Sequence, residues 1–238
     1  NLMILQRKKQ KLNVDLLRDQ VKMYKDIKFH YAAGSMGWGN GRFWHRFISL
    51  PDFPRITKTV TLKPRIGRPW AIAHLGTSIW NWQGLPNTGY LSFANHIEPF
   101  LKHPIILSIA GSDNEILVMV DYIERYRPKN VIGIELNFSC PNVKDHKNKS
   151  IPKSGLPLYL KLNCTQSPQD YDLSKISKIS VNSVPCSVGA LSGKLAQKKN
   201  WKFIKQHIDL PISGASWRTI DDLHQLLDMG CKNIDVGT

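Results

Sequence analysis

Residues 131–142, VIGIELNFSCPN, constrain this chain more than any other stretch. They begin as an alternating apolar run, Val131, Ile132, Ile134 and Leu136, which predicts a buried strand. The run then breaks into Asn137, Ser139, Cys140, Pro141 and Asn142. Pro141 cannot donate to a ladder, so the strand stops and a loop begins. A lone cysteine is more often a small buried hydrophobe than a reacting group. Here its neighbours are amides and a hydroxyl, which are costly to bury without partners and so require a polar ligand. An apolar strand that delivers polar groups at its carboxyl end is how an α/β barrel builds an active site.

The rest of the chain repeats the pattern. Apolar runs at residues 28–33, 56–60, 104–110, 157–162, 179–183, 210–214 and 233–236 read as further strands. Residues 42–50, 114–126, 199–207 and 218–229 read as helices. Strands alternating with helices predict a (β/α)8 TIM barrel, and 238 residues are enough for one. Two parts are missing from that expectation. The polar stretch after Asn142 leaves no room for the crossover helix that a parallel connection ordinarily uses. No closing helix follows strand eight, so the chain is expected to be a fragment or a truncated paralogue. Residues 1–27 read as a basic N-terminal extension and 28–238 as the barrel.

Charge and cysteine content exclude several classes. The net charge of +15 invites a nucleic-acid partner, but the lysines are scattered outside residues 7–11 and 144–153 and no binding motif accompanies them. A scattered positive surface suits attraction of small anions. No apolar run approaches the roughly 18–20 residues of a membrane span. Cys140, Cys164, Cys186 and Cys231 form no paired motif, so they read as free thiols in a reducing compartment.

Three further stretches carry chemistry. Residues 34–41, GSMGWGNG, place four glycines in eight positions, as a backbone does where it approaches a ligand closely, or as a plain loop. Residues 84–89, GLPNTG, are turn-forming by their Gly, Pro and Asn content. Lys161 lies inside the apolar run LYLKL, where an ammonium without a partner is costly.

The segment ELNFSCPN resembles the active-site segment of class 1 dihydroorotate dehydrogenases, and further similarities run from about Phe29 to Thr238. The resemblance implies an FMN-dependent oxidoreductase of pyrimidine biosynthesis that converts dihydroorotate to orotate in the cytoplasm. Cys140 matches the family's catalytic base. Lys58, Asn81, the Gly84–Leu85 backbone, Asn137, Asn142, Asn182 and Ser183 match its substrate-binding positions. Ala33, Gly34, Lys58, Thr59, Asn137, Lys161, Gly193, Gly214, Ala215, Ser216, Gly237 and Thr238 match its cofactor-binding positions, with residues 189–194 as a flavin-binding glycine loop. The family also implies a homodimer and an electron acceptor, either fumarate or NAD reached through a partner subunit. It implies no nucleic acid, no metal and no transmembrane segment.

The chain departs from the pattern in places. Ala32-Ala33-Gly34 stands where the family has Ala-Ser-Gly, Trp80 and Trp82 flank the substrate loop, and Ala215-Ser216 replaces two glycines of the phosphate loop. Two other readings therefore stand beside the first. One is another FMN barrel acting on a pyrimidine, similar to dihydropyrimidine dehydrogenase. The other is a degenerate, non-catalytic copy.

Overall fold

The computed structural model describes residues 26–41, 47, 50–140 and 150–237. The eight strands of the expected cylinder are β1 (Lys28–Tyr31), β2 (Arg55–Ile56), β5 (Ile105–Ile109), β6 (Val131–Asn137), β7 (Leu158–Leu162), β8 (Ile176–Val181), β11 (Ile212–Gly214) and β12 (Asn233–Val236). They close in the order β1-β12-β11-β8-β7-β6-β5-β2, and every pairing is parallel. The fold is a (β/α)8 barrel. Among the described residues no helix is long and apolar enough to cross a membrane.

Period-two alternation sorts each strand into two faces. Ile134 and Leu136 of β6, Leu158, Leu160 and Leu162 of β7, and Ile179 and Val181 of β8 join one apolar cluster with helix residues Met119, Val120, Ile123, Phe203, Ile204, Leu223 and Leu226. The main apolar core thus lies in the shell between strands and helices. Each such side chain contributes about 1.5–3 kcal/mol by leaving water. The inward faces of β5, β6, β8 and β12 carry Ser108, Glu135, Asn137, Lys178, Ser180 and Asp235, all buried. The barrel's interior is largely polar.

The helices follow from their ends as much as from their faces. Helix α2 (Asp113–Tyr126) opens on a capping box, in which Ser112 accepts from the Glu115 backbone while Glu115 accepts from Ser112. It buries Ile116, Met119, Val120 and Ile123 at helical spacing. Helix α4 (Ile220–Asp228) repeats the device with Thr219 and Asp222. Helices α1 (Tyr90–His96) and α3 (Lys194–Gln206) complete the shell.

Several sequence expectations need correction. The strand expected at 56–60 is only two residues long, followed by a single bridge from Val60 to Ile109. The glycine loop expected at 189–194 is instead strand β10 (Ala190–Gly193), with positive φ only at Gly189 and Gly193. It pairs with β4 (Ser78–Asn81) and β9 (Val184–Pro185), and β4 pairs with β3 (Ile72–Leu75). This four-stranded antiparallel sheet is inserted after β2 and β8, at carboxyl ends of barrel strands. Helix α3 starts five residues earlier than expected, at Lys194. The crossover between β6 and β7, expected to lack its helix, lies mostly outside the described residues, at 141–149. The β7–β8 connection also lacks an α-helix and crosses on two one-turn 3-10 helices, Pro168–Asp170 and Leu173–Lys175. The expected helix at 42–50 and the basic extension lie mostly outside the described residues.

Candidate active site

The site is built on the end of β6. Asn137, the last residue of the strand, is buried, its amide oxygen accepts twice and its amide nitrogen donates one of its two N–H groups. Its Oδ1 accepts from the Ser139 backbone N–H at 3.2 Å and the Ser139 hydroxyl at 2.7 Å. Its Nδ2 donates to Thr59 Oγ1 at 2.9 Å. Thr59 Oγ1 in turn lies 2.9 Å from Ser108 Oγ, which donates to Glu135 Oε1 at 2.8 Å. Residues from β5, β6 and the segment after β2 are therefore joined by one chain of short hydrogen bonds, as buried polar groups must be.

Charge enters from β7 and β8. Lys161 stands opposite Asn137 in the parallel register, so its half-buried ammonium belongs to the same end of the barrel. Among the described residues it makes no hydrogen bond and no ion pair within 4.0 Å. Lys58 is half-buried beside Thr59, with its ammonium 5.9 Å from the Trp38 ring. Deeper in, Lys178 pairs with Asp235 at 2.6 Å, both side chains 1% exposed. Burial acts to raise the Asp235 carboxyl, but the adjacent Lys178 ammonium wins and holds it below the ordinary range. Burial pushes Glu135 above that range, against the pull of Lys161 and of the Ser108 hydrogen bond. Burial and the Lys178 charge depress His30 to about 4, so this imidazole is neutral at physiological pH.

The expected site residues fall into three groups. Cys140, three residues beyond the end of β6, is 8% exposed, nearly enclosed rather than in an open loop. Its strand end is anchored by Phe138, whose ring stacks on Tyr171 and whose carbonyl accepts from Gln166 Nε2. Lys58, Thr59, Asn137 and Lys161 are gathered with it at the carboxyl end. Asn182 and Ser183 follow β8, which ends at Val181 and not at Ser183 as expected; both are half-buried.

A second group lies in the inserted sheet and its loops. Asn81 closes β4 and is exposed, and its Oδ1 accepts from the Gln83 N–H. Gly84 and Leu85 both take positive φ, 73° and 60°. Asn87 holds this loop: it donates to the Leu85 carbonyl and to Thr61, and accepts from Thr61 and Gly89. Gly193 ends β10 at φ 77°, where a Cβ would meet the Thr77 carbonyl oxygen at 2.5 Å.

The third group comprises the remaining residues expected to hold the cofactor. Gly34 has φ 77° and donates to the Ile56 carbonyl, and a Cβ there would meet only Lys58 Cα at 3.8 Å. Ala33 beside it is half-buried. Gly214 packs closely, since a Cβ there would meet Ile234 Cδ1 at 2.8 Å and Leu226 Cδ1 at 3.1 Å. Ala215 is buried, and its carbonyl accepts from the Trp201 indole. Ser216 takes φ 63°, with its hydroxyl accepting from Asn200 Nδ2 at 2.8 Å. A serine thus adopts the backbone that a glycine would adopt freely. Gly237 is open to solvent, with nothing within 4 Å of its Cβ position. Asn142 and Thr238 lie outside the described residues.

Lys161 offers an ammonium with no protein anion within 4.0 Å, which suits an anionic ligand, and Gly34 and Ser216 hold backbone in the left-handed region. Sequence reasoning missed Ser108, Glu135, Lys178, Asp235 and His30. The signal was present: Glu135 in VIGIELN and Lys178 in ISKISV are charges inside apolar strands, as Lys161 is.

Comparison with known proteins places the chain in a family. The profile of the family described as dihydroorotate dehydrogenase matches residues 27–156, more than half of the chain. The protein named dihydroorotate dehydrogenase B (NAD(+)), catalytic subunit, of Caldicellulosiruptor bescii is 39% identical over 124 residues, which cover 50% of this chain and 40% of that protein. The protein of the same name from Listeria welshimeri is 28% identical over 258 residues, covering 87% of this chain and 81% of its own length. Among solved structures, a dihydroorotate dehydrogenase from Eimeria tenella in complex with ferulenol superposes with a TM-score of 0.61 at 16% identity, covering 87% of this chain and 75% of that one. The ligand-free form from the same organism gives 0.57 at 15% identity over 76% of this chain and 71% of that one, and both likenesses support the barrel fold. With the profile matching more than half of its length, this chain belongs to the dihydroorotate dehydrogenase family.

Proposed function

We propose that this chain oxidises dihydroorotate to orotate in pyrimidine biosynthesis, with FMN as its resident cofactor. The observation that carries the reading is the convergence of Thr59, Asn137 and Lys161 just before Cys140, at the carboxyl end of a barrel of this family. Cys140, as thiolate, takes the proton from carbon 5 of the substrate onto Sγ. Its near-complete burial keeps water from competing for that proton. Lys58 offers a cation to the substrate carboxylate. Asn81, Asn137, Asn142, Asn182 and Ser183, with the Gly84–Leu85 backbone, hold the pyrimidine ring. When bound, FMN supplies the acceptor for the hydride that leaves carbon 6. Ala33, Gly34, Lys58, Thr59, Asn137 and Lys161 would hold its ring side, and Gly193, Gly214, Ala215, Ser216, Gly237 and Thr238 its phosphate side.

The names of the relatives support dihydroorotate over a dihydropyrimidine such as dihydrouracil. They also specify NAD(+) and a catalytic subunit, which supports NAD, reached through a second subunit, over fumarate as the final oxidant. A homodimer in the cytoplasm is consistent with this reading.

Cys140→Ala tests it. The variant is expected to keep FMN and its yellow colour, while anaerobic reduction by dihydroorotate slows by about 10²–10⁴-fold, the usual contribution of a general base. Unchanged bleaching in a stopped-flow trace refutes the role of the thiol. Faster reduction by dihydrouracil than by dihydroorotate refutes the substrate.

A further inference from the structure

Glu135 is a buried carboxyl at this site to which the functional reading gives no task. It is 1% exposed on the inward face of β6, two residues before Asn137. Its Oε1 ends the hydrogen-bond chain that begins at Asn137.

Proton accounting gives that chain a direction. Asn137 Oδ1 already accepts twice, once from a backbone N–H that can only donate, so its Nδ2 must face Thr59. Thr59 Oγ1 accepts that proton and is left to donate its own to Ser108 Oγ. Ser108 donates onward to Glu135. Three donors run one way and end on a carboxyl oxygen that accepts; burial raises this carboxyl, while the Lys161 and Lys178 charges and the Ser108 hydrogen bond act to keep it ionised. Lys161, opposite Asn137 in the parallel register and with no anion within 4.0 Å, acts on the same carboxyl through its charge.

We propose that Glu135 is a positioning residue of the redox site: through Ser108 and Thr59 it fixes the direction of the Asn137 amide, and its charge offsets that of Lys161 beneath the cofactor. The inference rests on the functional reading above, because it needs a flavin and a pyrimidine at this end of the barrel. Removing the Glu135 charge leaves the Lys161 cation unopposed. An unopposed cation favours the more negative, reduced form of a neighbouring flavin. Cutting the chain at Ser108 leaves the charge in place but frees the amide.

The test uses the holoprotein and two variants. Glu135→Gln keeps an acceptor for Ser108 and removes only the charge. It is expected to shift the flavin equilibrium about tenfold toward the reduced form, which for a two-electron couple is about 30 mV. Lys161→Met in the same background should abolish that shift, an outcome that a general loosening of the fold would not produce. Ser108→Ala is expected to leave the flavin equilibrium at its original value and weaken orotate binding about fivefold. An unchanged equilibrium in Glu135→Gln, or a shift that persists without Lys161, overturns the electrostatic half. Orotate binding unchanged in Ser108→Ala overturns the orienting half, and decides it even where Glu135→Gln does not fold. A parent protein that takes up no FMN overturns the functional reading itself, and this inference with it.

Discussion

Strands β5 to β8 have five to seven residues each and pair over long registers, whereas β2 has two residues and β11 has three. The two sides of the cylinder hold their polar groups differently as a result. On the long side Ser108, Glu135, Asn137, Lys161 and Lys178 are fixed by strand alternation, each pointing inward because its neighbours point out. On the short side the loops are held by single long-range bonds. Arg55 donates to the Gly39 carbonyl, Trp201 to that of Ala215, Asn200 to Ser216 and Trp217 to the Asp235 carbonyl. Backbone regularity sets geometry on one side, and tertiary contacts set it on the other. Damage to an inward strand residue should therefore reach the whole barrel, and damage to a loop residue should stay local.

The sharpest break of that contrast is at the Lys178–Asp235 pair, which joins the long strand β8 to β12 across the interior. Lys178→Met strands a buried carboxylate without its cation and is expected to cost about 3–5 kcal/mol. Urea unfolding followed by circular dichroism measures it. The double variant Lys178→Met/Asp235→Leu should recover most of the loss, since desolvation of both charges disappears together. A single variant within about 1 kcal/mol of the parent would show that the interior is wetter than described.

The same interior predicts a pH effect. His30 on β1 faces Lys178, Asp235 and Lys28, and its folded pKa is lowered from 6.5 to about 4. The folded state therefore binds fewer protons than the unfolded chain between those values. Stability is fully present above pH 6.5 and falls as pH drops toward 4, by about 3 kcal/mol in all. Below that, loss passes to Asp235, whose lowered carboxyl is protonated only in stronger acid. His30→Gln should flatten the limb between pH 6.5 and 4 and leave the more acidic limb intact. A urea midpoint measured across that range decides it.

These cases also mark how far the sequence could be read. Alternation made β5, β6, β7 and β12 legible almost to the residue, and with them Asn137 and Lys161. It failed at β2, because residues 57–59 carry threonines and a lysine on both faces and pair only once more, at Val60. It failed again at β10, where ALSG has too few apolar positions to show a period and becomes a strand only because β4 and β9 lie on either side. Helix α3 began earlier than its periodicity, since Gly193 and the Ser78 hydroxyl, which accepts from the Leu195 N–H, set its start. Local pattern was sufficient on the long side. On the short side the deciding contacts come from residues up to a hundred or more positions apart, as with Ser78 and Leu195, and no single-chain periodicity encodes them.

The smallest effect tests the short side at its most unusual residue. Ser216 sits where the family-like phosphate loop would have a glycine, at φ 63°. A non-glycine residue there costs roughly 1–2 kcal/mol in the left-handed region. The hydroxyl offsets part of this by accepting from Asn200, whose side chain is fully buried. Ser216→Ala and Ser216→Gly both remove that hydrogen bond and leave the Asn200 amide unpaired, so both should destabilise. They differ only in backbone. Gly relaxes into the left-handed conformation and Ala does not, so the Gly variant should be the more stable by about 1 kcal/mol. Thermal melts of the two proteins side by side measure this difference free of the lost hydrogen bond. Equal melting temperatures would mean that residue 216 does not hold a left-handed backbone. The short side would then be no more dependent on long-range contacts than the strands opposite.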